Sequence, residues 1–352
     1  MRFLTVLGAR PQFIKAAPLS AVLRRRHEEI LVHTGQHYDH QMSAVFFEQL
    51  RIPAPDHHLG VGSGLHGAQT GTMLIRLEAV MQCERPDVVL VYGDTNSTLA
   101  GALAAAKLGI PVAHVEAGLR SFNRVMPEEI NRVVTDHLST WLFAPSQHAA
   151  RQLATEGVTR GVHVVGDVML DAVLQHAERA RQTSPYPDAA NLCPGMFYLC
   201  TVHRAENTDH AERLGNILAG LARLDQPVLL PLHPRTRKRL AEFNMVPGSN
   251  VRVIEPVGYL DMLQLERSAS AILTDSGGVQ KEAYYLGVPC VTLREETEWA
   301  ETTEVGWNLL AGTDPDAIVA SVAQHRRDRR PHPPLYGTGD AAGHIVRIFD
   351  GA

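Results

Sequence analysis

Short apolar runs alternate with longer amphipathic stretches from Phe3 nearly to the end of the chain, and this alternation limits the fold more than any other feature. In the first half the strand candidates are Phe3–Leu7, Ile30–His33, Val88–Tyr92, Val112–Val115, Trp141–Ala144 and His163–Val165. Several are apolar without alternation, the pattern of parallel strands covered on both faces. Between them lie the helix-length segments Ser43–Leu50, Gln69–Cys83, Ser97–Leu108 and Glu128–Leu138. The rhythm pauses over the Ser-, Pro- and Asp-rich stretch Gln182–Gly195. It restarts with Met196–Val202, Val228–Leu232, Val251–Ile254, Ala271–Thr274 and Cys290–Leu293. A chain of 352 residues exceeds what one core usually organises, so two domains are expected. The fold class is α/β, with two Rossmann-like, doubly wound domains and a final amphipathic helix after Tyr336-Gly337-Thr338-Gly339.

Composition removes several partners. The net charge is -5 and the basic residues are dispersed, so there is no footprint for nucleic acid. Arg24-Arg25-Arg26 reads as the solvated end of a helix. No stretch approaches the roughly 20 apolar residues of a membrane span, and the N-terminal apolar run is too short for a signal peptide. Cys83, Cys193, Cys200 and Cys290 form no CxxC pair and read as buried free thiols, so a cytoplasmic protein is expected.

Ligands of open α/β sheets bind outside the carboxyl ends of the strands. Five strand candidates are followed there by polar residues: Gly93-Asp94-Thr95-Asn96, Glu116-Ala117-Gly118, His203-Arg204-Ala205-Glu206, His233-Pro234 and Asp275-Ser276-Gly277-Gly278. Any one of these is explained by a helix cap; five together point to a site. Ser276-Gly277-Gly278 opens a helix, where free N–H groups and the helix dipole attract an anion such as phosphate. Glu282 lies one turn further on, placed for ribose hydroxyls. Arg10 and Lys15 follow the first strand at another helix start, where positive charge is unfavourable unless an anion binds.

In Pro127-Glu128-Glu129-Ile130-Asn131-Arg132, Ile130, Val134 and Leu138 are expected to form a buried stripe. Glu128 then lies about 200° around from Ile130 and shares a face with Arg132, leaving Glu129 toward the flank. The match of Gly62–Gly67 to GxGxxG follows no apolar strand and reads as chance. Asp314-Pro315-Asp316 reads as a turn, and His33, His37, His40, His57 and His58 read as loop residues without ligand spacing, so no metal is expected.

Taken in order, Gly8-Ala9-Arg10-Pro11 with Lys15, Tyr92-Gly93-Asp94-Thr95, His114–Arg120, Pro127–Arg132, His203-Arg204, Thr274–Gly278 with Glu282, and Tyr336-Gly337 cover nearly the whole chain. In these motifs the chain resembles the non-hydrolysing UDP-N-acetylglucosamine 2-epimerases. The resemblance implies a GT-B fold with a central cleft and no cofactor. It implies an N-terminal domain at 1–169 carrying the catalytic carboxylates, completed by a C-terminal helix at 337–352, and a UDP-binding domain at 170–336. Carried over by motif, Asp94, Glu116 and Glu128 are the acid/base carboxylates, oriented by Arg132, with the choice of acid and base left open. His203 stabilises the departing diphosphate beside Arg10 and Lys15, and Ser276, Gly277, Gly278 and Glu282 bind UDP. A homodimer acting on a UDP-sugar, for surface polysaccharide synthesis, is what the resemblance implies.

Departures from the family pattern bear on substrate and control. The family's Gln-His-Arg-Glu is here Gln36-His37-Tyr38-Asp39, and its His-Arg-Arg-Glu is His203-Arg204-Ala205-Glu206. Those arginines help the family bind a second UDP-N-acetylglucosamine as activator; of that set Gln36, Gln69 and His233 remain. These loops, with Thr297-Glu298-Trp299-Ala300-Glu301, look like the branch acting on UDP-2,3-diacetamido-2,3-dideoxyglucuronate. Both sugars stay open. A glycosyltransferase of the same fold and a silent nucleotide-sugar sensor are the competing readings, and a full set of acids argues against both.

Overall fold

The computed structural model describes residues 1–36, 50–327 and 331–351, so the helix expected at Ser43–Leu50, all but its last residue, and the loop residues His37 and His40 lie outside the described residues. The chain forms two compact units, Met1–Gln175 with Pro334–Ala352, and His176–Pro333. Among the described residues, the first holds a seven-stranded parallel sheet. Its strands are β1 (Arg2–Leu7), β2 (Glu28–His33), β3 (His57–His58), β4 (Val88–Tyr92), β5 (Val112–Val115), β6 (Trp141–Ala144) and β7 (Val162–Val164), in the order β3-β2-β1-β4-β5-β6-β7. The second holds β8 (Tyr198–Thr201), β9 (Val228–Pro231), β10 (Val251–Ile254), β11 (Ala271–Thr274), β12 (Cys290–Thr292) and β13 (Asn308–Leu310), in the order β10-β9-β8-β11-β12-β13. Each is the Rossmann order, which reverses between β1 and β4 in one unit and between β8 and β11 in the other.

The central strands, such as Val88–Tyr92 and Ala271–Thr274, are buried along their whole length because both faces are covered. In the first unit Leu4, Val6, Val89 and Val91 pack against Met73, Leu77 and Met81 of the helix His66–Glu84 and against Ala100 and Ala104 of the helix Asn96–Lys107. That second helix is rich in alanine and approaches the sheet closely: a Cβ on Gly101 would stand 3.1 Å from Val91 and 3.2 Å from Val6. On the opposite face the closing helix Ala341–Asp350 sets Phe349 edge-on to Phe3, Phe143 and Trp141. Burying a phenylalanine of this kind contributes about 1.5–3 kcal/mol. In the second unit Leu214, Ile217 and Ile318 cover one face, and Leu265, Val279 and Ala283 the other.

Several expectations change. His57 and His58 form β3 and His33 ends β2, buried, rather than lying in loops. Asp314-Pro315-Asp316 starts the helix Pro315–Arg327, with Asp314 Oδ1 accepting from the Asp316 amide at 2.8 Å. Cys200 and Cys290 are buried, whereas Cys83 and Cys193 are exposed. No helix among the described residues is long and apolar enough to cross a membrane.

Candidate active site

In the first unit the register pairs Tyr92 at the end of β4 with Val115 at the end of β5. Asp94 and Glu116 therefore leave the sheet side by side. Gly93 bridges them: its amide donates to the Val115 carbonyl at 3.0 Å, and its φ of +61° suits glycine. A Cβ there would lie 3.1 Å from Lys15 Nζ and 3.3 Å from Glu116 Oε2. Lys15 sits on the helix Arg10–Leu23, which leaves β1 on the other side of the switch point, and its ammonium is ion-paired with Glu116. Both side chains are nearly inaccessible. Glu116 itself holds a φ of +75°, uncommon for a residue with a side chain and of the kind that gathers at functional sites.

The start of that helix is fixed from within. Gln12 Oε1 accepts from the amides of Gly8 at 2.8 Å and Ala9 at 3.0 Å, while its Nε2 donates to the Tyr92 carbonyl and to Thr98. Arg10 is half-buried at this edge.

The helix Pro127–Leu138 turns a polar face inward. Ile130 is 50% exposed, and the buried residues are Glu129, Asn131, Arg132, Thr135 and Asp136. This overturns the expected apolar stripe and the assignment of Glu129 to the flank. Arg132 Nη1 donates to Asp94 Oδ2 at 2.6 Å, and Nε and Nη2 donate to Glu129 Oε2 at 3.0 and 2.7 Å. Glu129 also accepts from the amides of Ser121 and Phe122, each at 2.9 Å. Burial pushes its carboxyl up, but the Ser121 amide and the Arg132 guanidinium outweigh this and hold it below the usual carboxylate range. Glu128 is half-buried at the same helix start. Asn131 Nδ2 donates to the Asp94 carbonyl at 2.9 Å.

Beneath the carboxylates runs a buried polar chain. His114 lies between Asp136 Oδ1 and the Gly93 carbonyl, 2.7 Å from each. Asp136 also accepts from Arg120 Nη1 at 2.7 Å, and Arg120 is paired in turn with Glu156. Desolvation raises the Asp136 carboxyl, but His114 and Arg120 hold it low. Sequence pattern missed Glu129, His114 and Asp136 as parts of this edge, although Glu129 stands next to Glu128 and His114 lies two residues before Glu116.

In the second unit, His233, His203 and Ser276 follow the adjacent strands β9, β8 and β11. Ser276 caps the helix Gly277–Tyr285, its side chain accepting from the Val279 amide. A Cβ on Gly277 would stand 3.3 Å from Trp299 Nε1, so this position is kept narrow by the tryptophan. Glu282 is buried one turn along. Asp275, fully buried, accepts from the amides of His203 at 3.0 Å and Arg204 at 3.0 Å and from Asn207 Nδ2 at 3.2 Å; His203 Nδ1 lies 3.2 Å from it. Asp275 thus ties the loop after β8 to the end of β11. Burial raises its carboxyl, but His203 and the amide donors hold it low. The His203 and His233 rings lie 5.4 Å apart, and His233 caps the helix Pro234–Glu242.

Gln36 and Gln69 belong to the first unit. Gln36 Oε1 accepts from the amide and hydroxyl of Ser97 at 3.1 and 2.7 Å. Gln69 accepts from Asn96 at 2.8 Å and donates to the Gly62 carbonyl at 2.7 Å.

Two switch points, one bearing acids paired with cations and the other a capped, glycine-rich helix start, mark the ligand edges of a two-domain α/β protein of Rossmann type. The sequence profile of the family described as UDP-N-acetylglucosamine 2-epimerase matches residues 21–350. A UDP-2,3-diacetamido-2,3-dideoxy-D-glucuronate 2-epimerase of Pseudomonas aeruginosa is 50% identical over 358 residues, covering 99% of each chain. A UDP-N-acetylglucosamine 2-epimerase homolog of Methanococcus maripaludis is 49% identical, again covering 99% of each. The crystal structure of the Methanocaldococcus jannaschii UDP-GlcNAc 2-epimerase in complex with UDP-GlcNAc and UDP is similar at a TM-score of 0.94, with 46% identity and 100% of both chains covered. The chain belongs to the UDP-N-acetylglucosamine 2-epimerase family: it is an isomerase with two Rossmann-like domains of the GT-B type.

Proposed function

We propose that this enzyme inverts C2 of UDP-N-acetylglucosamine, giving UDP-N-acetylmannosamine, by eliminating and re-adding UDP without net hydrolysis, for surface polysaccharide synthesis. The observation that carries this reading is the placement of Asp94 and Glu116 beside one another at the ends of neighbouring strands, each with a cation at its carboxylate. Proton transfer at a weakly acidic carbon needs fixed carboxylates within reach of both faces of C2. One of Asp94, Glu116 and Glu128 removes the C2 proton. The C1–O bond breaks with its electron pair going to UDP, and a 2-acetamidoglycal forms. A second carboxyl then protonates C2 on the opposite face while UDP re-adds at C1.

Arg132 orients Asp94, and Lys15 holds Glu116. His203, with Arg10 and Lys15 nearby, stabilises the diphosphate as negative charge develops on it. The Ser276-Gly277-Gly278 helix start receives the phosphates and Glu282 the ribose. Exposed free thiols at Cys83 and Cys193 suit a reducing compartment, which supports a cytoplasmic enzyme. A homodimer rests on the family resemblance.

A second substrate is favoured by a specific observation: the relative at 50% identity is named for UDP-2,3-diacetamido-2,3-dideoxy-D-glucuronate. Incubation with each sugar nucleotide, without acceptor and followed by proton NMR, tests the reading. Appearance of the C2 epimer without UDP accumulation supports it, and the faster substrate names the sugar. Stoichiometric UDP release would make the enzyme hydrolytic. Consumption only with an added acceptor would make it a transferase.

A further inference from the structure

Glu129 is a buried charge for which the proposed chemistry has no task. It is 2% exposed, and its carboxylate lies between the guanidinium of Arg132, which also holds Asp94, and the backbone at Ser121-Phe122. Arg132 has a flat fork of donors. Glu129 Oε2 takes the Nε and Nη2 edge, at 3.0 and 2.7 Å, which leaves Nη1 directed at Asp94 Oδ2, 2.6 Å away. Ser121 Oγ lies 3.2 Å from both Glu129 Oε2 and Arg132 Nη2, closing a triangle around the shared oxygen. Phe122 enters this arrangement with a φ of +60° and a ring that is 72% exposed, so its backbone conformation is held by the bond from its amide to Glu129 rather than by packing of its side chain.

We propose that Glu129 is a positioning residue of the epimerisation: it locks the far edge of Arg132 so that the near edge fixes the Asp94 carboxylate, and it anchors the Ser121-Phe122 turn in the same step. The proposal rests on the reading of Asp94 as one of the carboxylates that exchange the C2 proton. Asp94 keeps about a third of its side chain accessible, and its carboxylate is oriented by the ion pair with Arg132. Arg132, at 4% side-chain exposure, is held in turn by Glu129. A displacement on the order of 1 Å in a reacting group costs roughly 100-fold in rate.

The test is a double-mutant cycle on the full chain with the sugar nucleotide that the wild type turns over. Glu129→Gln is expected to lower kcat by about 10–100-fold, with KM within about 3-fold of wild type and C2 deuterium exchange falling by the same factor as kcat. In an Arg132→Lys background, where the fork is already lost, Glu129→Gln is expected to add less than about 3-fold, because the two residues act in series. Full kcat per folded enzyme in Glu129→Gln overturns the proposal. So do losses that multiply in the double variant, which would place the effect in the Ser121-Phe122 turn alone. If Glu129→Gln does not fold, Glu129→Asp, which keeps the charge on a shorter arm, is carried through the same cycle with the same criteria. A wild-type enzyme that exchanges no C2 hydrogen removes the underlying reading of Asp94 as well, and that result is distinct from unchanged turnover in the variant.

Discussion

Asp275→Asn is expected to unfasten the second unit at its switch point. The carboxylate is fully buried and gathers the His203 amide, the Arg204 amide, Asn207 Nδ2 and His203 Nδ1 within 3.2 Å. Asparagine keeps one acceptor oxygen and turns an NH2 group toward donors, so at least one of these bonds is lost and the others lose their charge. Hydrogen bonds to a charged group contribute about 1.5–3 kcal/mol each, and disrupting a buried charge's partners costs about 3–5 kcal/mol. For a domain of this size each kcal/mol moves the melting temperature by about 2–4 °C, which gives a drop of roughly 6–20 °C.

The pH dependence adds a sign. The folded-state pKa of Asp275 is held below its ordinary value by His203 and the amide donors, against the upward push of burial. The stabilisation is therefore complete above the unfolded value of about 3.9 and is lost as pH falls through the folded value. Scanning calorimetry of wild type and variant from neutral pH downward reads both effects. The gap in Tm should hold constant to about pH 4 and narrow below it. A variant that melts with the wild type at neutral pH, or a gap that stays constant through the acid range, would refute the reasoning.

Two further outcomes follow from buried groups. Lys15→Met removes the ammonium from a pair whose side chains are 11% and 4% exposed, and should destabilise the first unit by about 3–5 kcal/mol in urea unfolding. Adding Glu116→Gln should recover much of that stability but none of the activity; recovery of turnover would contradict the role given to Glu116. Burial drives the Cys200 and Cys290 thiols well above their ordinary range, whereas Cys83 and Cys193 are exposed. A thiol reagent at mildly alkaline pH should therefore label Cys83 and Cys193 in the native enzyme and all four cysteines only in denaturant, as peptide mapping would report.

The sheets were legible because parallel strands covered on both faces carry unbroken apolar runs, as in Val88–Tyr92 and Ala271–Thr274. β3 and β13 were not, since His57-His58 and Asn308-Leu309-Leu310 are too short to carry a period. The acids and histidines at strand ends could be picked out because a strand end followed by a polar residue marks the ligand edge of this architecture. The inward face of the helix Pro127–Leu138 escaped for the opposite reason. An apolar stripe is a sound guide only when the buried face is apolar, and here Glu129, Arg132 and Asp136 are buried because Asp94, Ser121, His114 and Arg120 satisfy them. Those partners lie outside the helix, 8 to 38 residues away in sequence, so the helix's own pattern does not announce them. Lys15 shows the same limit: its helix-start position gave no sign of its partner Glu116, which follows β5 and lies 101 residues downstream.

Transfer of the C2 hydrogen tests the central claim most directly. The enzyme is incubated in deuterium oxide with the UDP-sugar it turns over, and substrate and product are recovered and examined by proton NMR. Removal and return of a proton by carboxylates at Asp94, Glu116 or Glu128 predicts deuterium at C2 of the product, and of the recovered substrate as equilibrium is approached. Epimerisation with the original C2 hydrogen fully retained would contradict the account.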